Sequence, residues 1–253
     1  MLAAPPSPTT VIRLENVHKR FKTPVLRGLT LEVPPKGIYA LIGPGASGKS
    51  VLFKLITGLM EPEQGRVFVD GEEITGMDLI RLAEVRKKIG MLFQNYALFD
   101  MSVGENIAFP LRRLFHLPEN EVKARVAERL TRVALPGIED RNPSSLSGGQ
   151  KKRVGVARAT IARPPIVLYD EPTAGLDPVT TQKILELIKE EQRAQGTCVM
   201  VISSDVERVL TIADRVGMIH QGHLIFDGTV AEAKASQIPA VKQFVHGLTE
   251  GPL

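Results

Sequence analysis

The sequence predicts an α/β fold, a mainly parallel sheet covered by helices with a helical lobe set into it, and three observations carry that expectation. In the second half of the chain, short β-branched runs alternate with stretches of helical spacing, the pattern of a parallel sheet with crossover helices. A glycine-rich loop, Gly43 to Ser50, stands between a strand-like run and a helical one. Between about 100 and 163 the strand signals stop, and apolar residues recur at helical spacing, as in VKARVAERLTRVAL.

Taken in order, residues 1–10 are rich in Pro, Ser and Thr and are expected to form a disordered tail. A single domain is expected over 11–247, with a short tail at 248–253. From Val11 to Ala40, the runs VIRLENV, VLRGLTLEV and GIYALIG read as strands broken by Pro and Gly. Ser50 to Leu59 carries a helical pattern that Gly58, Pro62 and Gly65 close. RVFVDGEEI reads as a strand and turn, and IGMLFQ as a strand that leads to Gln94. Beyond the helical lobe come strand IVLYD, helix TTQKILELIKEEQRA, strand TCVMVIS, helix DVERVLTIA and the hairpin-like VGMIHQGHLIFDG. There is no internal repeat, so each chain carries one set of site motifs.

Composition bounds the partners. A chain of 253 residues with 43% hydrophobic residues can bury a large core. No stretch approaches the roughly 18–20 continuous apolar residues that span a bilayer. MLAAPPSPTT lacks the charged start and apolar block of a signal peptide, so a cytosolic or cytosol-facing chain is expected. The single Cys198, inside CVMVI, is expected to be a reduced core thiol. Net charge is +4, and 12 Lys/Arg against 7 Asp/Glu fall within 100–163. Aromatics are 5% with no Trp, so no stacking platform for single-stranded nucleic acid is visible, and no nucleic-acid partner is expected.

GPGASGKS fits G-x-x-x-x-G-K-[ST] in the strand–loop–helix setting that pattern requires. Gly43, Gly45 and Gly48 let the backbone turn tightly enough for its N–H groups to surround phosphates, and the helix starting near Gly48 points its positive end there. The candidate nucleotide-binding run is therefore Gly43, Pro44, Gly45, Ala46, Ser47, Gly48, Lys49, Ser50 and Val51. Lys49 supplies charge to the β- and γ-phosphates and Ser50 a hydroxyl to Mg2+. In IVLYDE, four apolar residues make a buried strand whose carboxylates emerge at its C-terminal end, where ligands sit in open α/β sheets. Asp170 is placed as a metal ligand through water, and Glu171 as the general base for the attacking water. An Asp-Glu pair after a strand is on its own more often a solvated helix start; its position relative to the glycine loop reverses that preference. In LSGGQ, Ser147 and Gln150 have the spacing of a capping box, so a helix should start there. Gly148 and Gly149 expose backbone N–H groups at that start, an anion site with no strand of its own.

GPGASGKS, Gln94, LSGGQ and IVLYDEP, in this order and spacing, resemble the ATP-binding cassette (ABC) family over nearly the whole chain. The resemblance implies a P-loop NTPase fold with a RecA-like core, a small antiparallel β subdomain and an inserted α-helical lobe. It also implies that ATP and Mg2+ are held between two chains, with Ser147, Gly148, Gly149 and Gln150 facing the γ-phosphate bound by the opposite subunit. A second ATPase subunit, expected to be an identical chain, is then required. Gln94 matches the glutamine that contacts the metal and water and links the core to the helical lobe. Asp177 matches the loop that crosses the dimer interface. Phe21 is the candidate to stack on adenine, against the plainer reading of a core residue.

The family places a histidine beside the γ-phosphate where this chain reads Ser203-Ser204-Asp205. Serine donates a hydrogen bond but is shorter and never cationic, so direct contact with the phosphate needs backbone movement or a bridging water. None of His18, His116, His220, His223 or His246 stands in its place in the order of motifs. With Glu171 intact, reduced but real hydrolysis is expected; a nucleotide-gated subunit with almost no turnover is the alternative.

NYALFDMSVGENIAFPLR follows Gln94 where the family's helical lobe receives a permease. That stretch, PTAGLDPVTT, the segment from Ser204 to Asp214 and the ending VKQFVHGLTEGPL resemble the ATPases of Mla/Mce-type phospholipid transporters. The resemblance implies a peripheral subunit on the cytoplasmic side of the inner or plasma membrane, with a transmembrane permease and an Mce-type lipid-binding protein as partners. Ala97, Leu98 and Phe99 are then a docking surface, although their spacing suits core equally. The chain ends at Pro252-Leu253, so no arm embracing the partner is expected. An ATPase of a polar amino-acid importer shares every catalytic motif. A soluble member of the family acting on ribosomes or DNA is disfavoured by the single cassette and the missing Cys/His cluster.

Overall fold

The computed structural model describes residues 10–115 and 117–253; the expected tail at 1–10 lies outside them except for Thr10, as does His116. In chain order the elements are β1 (Ile12–Arg20), β2 (Pro24–Val33), β3 (Gly37–Ile42), α1 (Lys49–Ile56), β4 (Gln64–Val69), β5 (Glu72–Glu73), α2 (Leu79–Lys87) and β6 (Ile89–Leu92). The helical stretch follows as α3 (Val103–Pro110), a π-helical turn, α4 (Glu119–Arg132), a 3-10 turn and α5 (Gly148–Thr160). The rest is β7 (Ile166–Asp170), α6 (Pro178–Gln195), β8 (Cys198–Ile202), α7 (Val206–Val209), β9 (Arg215–His220), β10 (His223–Thr229), α8 (Val230–Lys234) and α9 (Pro239–His246).

Two sheets result. The larger has the order β10-β9-β3-β8-β7-β6, parallel throughout except for the antiparallel β9–β10 hairpin at one edge. The smaller is antiparallel, in the order β2-β1-β4-β5. Every residue of β7 and β8 is buried, which is why these strands read as unbroken apolar runs rather than alternating ones. Successive side chains still point to opposite faces. Ile38, Ala40, Val167, Tyr169, Val199 and Val201 pack toward α5, α6 and the helical lobe. Tyr39, Leu41, Ile166, Leu168, Cys198 and Met200 pack toward α1, α2 and the small sheet. Cys198 is a free buried thiol, pushed up to about 12 by burial.

The lobe from α3 to α5 contains no strand among the described residues, as expected. Ser102 and Glu105 form a capping box at the start of α3. Buried Asn106 closes the turn before it, accepting from the Phe99 amide at 2.8 Å and donating to the carbonyls of Phe99, Met101 and Ser102 at 3.0–3.1 Å. Pro110 ends the regular hydrogen bonding of α3, and the chain continues as the π turn Leu111–Phe115. The lobe is tied to the sheet's helices by charge: buried Glu191 of α6 accepts from Arg129 and from Arg132 of α4.

Four elements differ from the sequence expectation. Helix α2, capped by Asp78, and the C-terminal helices α8 and α9 were not foreseen. The helix expected over DVERVLTIA is a single turn, α7. Among the described residues no helix is long and apolar enough to cross a membrane.

Candidate active site

The site forms at the C-terminal ends of β3, β7 and β8, adjacent in the order β3-β8-β7, so their following loops converge. After β3 the glycine loop turns with Gly43 at φ +142° and Gly48, the N-cap of α1, at φ +106°. A side chain at Gly43 would lie 2.1 Å from the Ile219 carbonyl, and one at Gly48 would lie 2.7 Å from Leu26. Gly45 needs neither exemption: its φ is not positive and a Cβ there would meet nothing within 4 Å. The third sharp turn falls instead on Ala46, at φ +59°. The loop curls around the Lys49 ammonium, which donates to the carbonyls of Gly43 and Pro44 at 2.7 and 2.8 Å and to Ser47 Oγ at 3.3 Å. Burial lowers the Lys49 pKa, against Glu171 and Asp170, which hold it up. Val51 follows on α1, half-buried against the core.

Ser50 Oγ donates to Asp170 Oδ1 at 3.3 Å, joining the first turn of α1 to the end of β7. Burial pushes the Asp170 carboxyl up; the Ser50 hydrogen bond lowers it and neighbouring Glu171 raises it. A hydroxyl and a carboxylate beside a phosphate loop are hard oxygen donors that suit Mg2+. Among the described residues there is no cluster of three His, Cys, Asp or Glu able to hold a metal alone. The donor set therefore fits a metal that arrives with phosphate oxygens rather than one held in a protein cage.

Glu171 has a left-handed backbone, φ +49°, unusual for a side chain of its size. It is held on three sides. Its amide donates to the Ile202 carbonyl at 2.9 Å, its carbonyl accepts from Lys152 Nζ at 2.7 Å, and its Oε2 accepts from both the amide and the hydroxyl of Ser204, each at 3.1 Å. The parallel register of β7 and β8, with Asp170 opposite Ile202, brings these loops side by side. The serine at the family's histidine position thus reaches the carboxylate directly.

Gln94 is exposed just after β6, and its carbonyl accepts from Lys152 Nζ at 3.1 Å. Beyond it Tyr96 and Ala97 have positive φ, and their carbonyls accept from Arg158 at 2.7 and 2.6 Å. Lys152 and Arg158 escaped the sequence reading because KKRVGVARAT looks like an ordinary charged helix. The signal lay in the spacing: Lys152, Val156 and Ala159 share one helix face, and all are buried.

The capping box at Ser147 is present as expected: Ser147 Oγ accepts from the Gln150 amide at 3.3 Å, and Gln150 Oε1 accepts from the Ser147 amide at 2.9 Å. Gly149 faces Thr180 so closely that a Cβ would lie 2.7 Å from its methyl, and Gly148 lies beside Leu176 and the Tyr96 hydroxyl. Asp177 is exposed and caps α6 through Val179 and Thr180. No hydrogen bond among the described residues joins Ser147, Gly148, Gly149, Gln150 or Asp177 to the glycine loop of the same chain. Phe21 is 55% exposed in the turn after β1, with Lys19 Nζ 5.8 Å from its ring centre, so it is not a core residue. Ala97 and Phe99 are exposed, while Leu98 packs against the core. The chain thus brings together Lys49, Ser50, Asp170, Glu171, Ser204 and the Gln94 loop, while no hydrogen bond among the described residues joins the LSGGQ turn, Asp177 or Phe21 to the glycine loop.

The family model described as ABC transporter matches residues 26–174. A curated relative, the Haemophilus influenzae intermembrane phospholipid transport system ATP-binding protein MlaF, is 41% identical over 96% of this chain and 93% of its own length. The Caulobacter vibrioides methionine import ATP-binding protein MetN is 39% identical over 88% of this chain and 68% of its own length. Among solved structures, the dimeric ATP-binding cassette MJ0796 in a post-hydrolysis state with ADP and Pi superposes with TM-score 0.80 at 30% identity, covering 87% of this chain and 98% of that one. The chain belongs to the ABC transporter family and is an ATPase of that family.

Proposed function

We propose that two copies of this chain enclose two Mg-ATP molecules and drive a membrane permease that moves phospholipid, in a transporter of the Mla/Mce type. The observation that carries the two-chain reading is that, among the described residues, no hydrogen bond joins the LSGGQ turn to the phosphate loop of the same chain: the glycine-rich start of α5, with Ser147 exposed, presents N–H groups suited to an anion that nothing bonded to it within the chain brings. A second chain supplies one, as the dimeric form of the similar cassette MJ0796 suggests. In that arrangement Lys49 and the loop amides hold the β- and γ-phosphates. Ser50, Asp170 and Gln94 would hold the metal, which would neutralise phosphate charge. Phe21 stacks on the base, and Asp177 lies at the interface. Glu171 orients the attacking water and takes its proton as the bond from the γ-phosphorus to the bridging oxygen breaks, while Ser204 fixes the carboxylate.

The lipid assignment rests on the resemblance to the phospholipid transport protein of Haemophilus influenzae. An apolar groove of about 300 Å3 lined by Phe93, Ala97, Phe99, Phe109 and Pro110 offers the permease a seat beside the Gln94 loop. The subunit would sit peripherally on the cytoplasmic face of the inner or plasma membrane, with an Mce-type lipid-binding protein in the assembly. The similarity to a methionine importer subunit favours an amino-acid importer as second reading. Capture of the Glu171→Gln variant with Mg-ATP from detergent-solubilised native membranes separates them. A permease with an Mce-type protein supports lipid transport, a permease with an amino-acid-binding protein supports the second reading, and no membrane partner counts against both.

A further inference from the structure

Lys152 belongs to none of the motifs above, yet it is 1% exposed and its ammonium reaches the backbones of two site residues, Glu171 and Gln94. No carboxylate pairs with it at ion-pair distance among the described residues. Instead Nζ donates to the Glu171 carbonyl at 2.7 Å and the Gln94 carbonyl at 3.1 Å, and lies 4.8 Å from the centre of the Tyr96 ring. Burying a cation against neutral carbonyls costs solvation, and a methionine would fill the same space without that cost. What the ammonium supplies is a directional link among three segments. It stands on α5, the helix that begins at Ser147, and holds both the backbone of Glu171 and the loop of Gln94. Farther along α5, Arg158 fastens the same loop through Tyr96 and Ala97.

Given the two-chain reading, on which this inference rests, the start of α5 touches the partner's nucleotide, whereas Glu171 and Gln94 serve the chain's own. We propose that Lys152 is a positioning residue that couples the two nucleotide sites. A displacement of α5 when the partner's site fills is passed through Nζ to the Glu171 and Gln94 backbones, setting the carboxylate for attack. Helix α5 also packs on α3 and β6, which carry the lobe along, and Lys152 Nζ is its hydrogen-bonded link to the Glu171 backbone.

The test uses the full chain as wild type, Lys152→Met, Lys152→Gln and Lys152→Arg. Hydrolysis is followed against Mg-ATP concentration, beside equilibrium binding of a fluorescent ATP analogue and thermal unfolding. In Lys152→Met, nucleotide affinity should stay within about twofold, while kcat falls about tenfold and the Hill coefficient drops from about 2 toward 1. Lys152→Arg should recover both, and Lys152→Gln, which keeps one donor and guards against a Lys152→Met chain that does not fold, should fall between. A Lys152→Met or Lys152→Gln enzyme that is folded and keeps wild-type cooperativity overturns the coupling, whatever its kcat. A wild type that stays monomeric and non-cooperative overturns the two-chain reading beneath it, a failure distinguishable because it appears before any substitution.

Discussion

Ser204 grips Glu171 twice: its amide and its hydroxyl both donate to the same carboxylate oxygen, Oε2, each at 3.1 Å. By the length of its side chain, Ser204 is expected to reach a γ-phosphate only with backbone movement or a bridging water. Its short side chain instead reaches the Glu171 carboxylate without backbone movement. A serine here fixes the carboxylate and adds no positive charge beside it.

That relationship predicts a split in kinetics. Ser204→Ala leaves the amide donor and removes the hydroxyl, so kcat should fall about 3–10-fold with ATP affinity unchanged. Ser204→His restores a group that can reach the phosphate and should raise kcat by about tenfold or more. Steady-state hydrolysis with parallel nucleotide binding measures both. No gain in Ser204→His would refute the idea that Ser204 limits the rate.

The Ser50–Asp170 contact predicts a metal phenotype. Removing either oxygen donor leaves the phosphate loop intact but weakens the cation's seat. Ser50→Ala should raise the Mg2+ concentration for half-maximal hydrolysis by about tenfold, and Asp170→Asn by more. A Mg2+ titration at saturating ATP checks this; an unchanged midpoint in both variants would remove Ser50 and Asp170 from the metal site.

The lobe is anchored by Glu191, which receives Arg129 and Arg132 of α4 and Gln195 of its own helix. Both Arg129 and Glu191 are 4% exposed, so neither is stabilised by water when the other is removed. Glu191→Ala should cost about 3–5 kcal/mol in urea unfolding, because Arg129 is left buried without a countercharge. Glu119→Ala, which removes an exposed partner of Arg112, should leave the unfolding midpoint unchanged.

Much of this site is legible in sequence because its signals are local. The glycine loop, the capping box at Ser147 and the buried strand before Asp170 each depend on neighbours within a few residues. What escaped depends on packing. Helix α2 places Leu79 and Ile80 in solvent, 76% and 82% exposed, with only Leu82 and Val85 in the core, so its apolar period is blurred. Helix α7 stops after one turn because the chain tightens through Thr211 and Ile212 and then bends so that Asp214 can accept from the Ile38 amide at 2.8 Å. The Ser204–Glu171 contact requires the register that sets Asp170 beside Ile202, which no single segment encodes. Lys152 reads as a solvated charge until its face of α5 is known to be buried.

In the proposed arrangement one chain holds two half-sites that only a second chain completes. Sedimentation of purified Glu171→Gln, with and without Mg-ATP, decides it. A monomer that becomes a dimer only with Mg-ATP, and that stays a monomer when Ser147→Arg is added, is the predicted result. A Glu171→Gln chain that binds ATP yet sediments as a monomer at saturating nucleotide would contradict it.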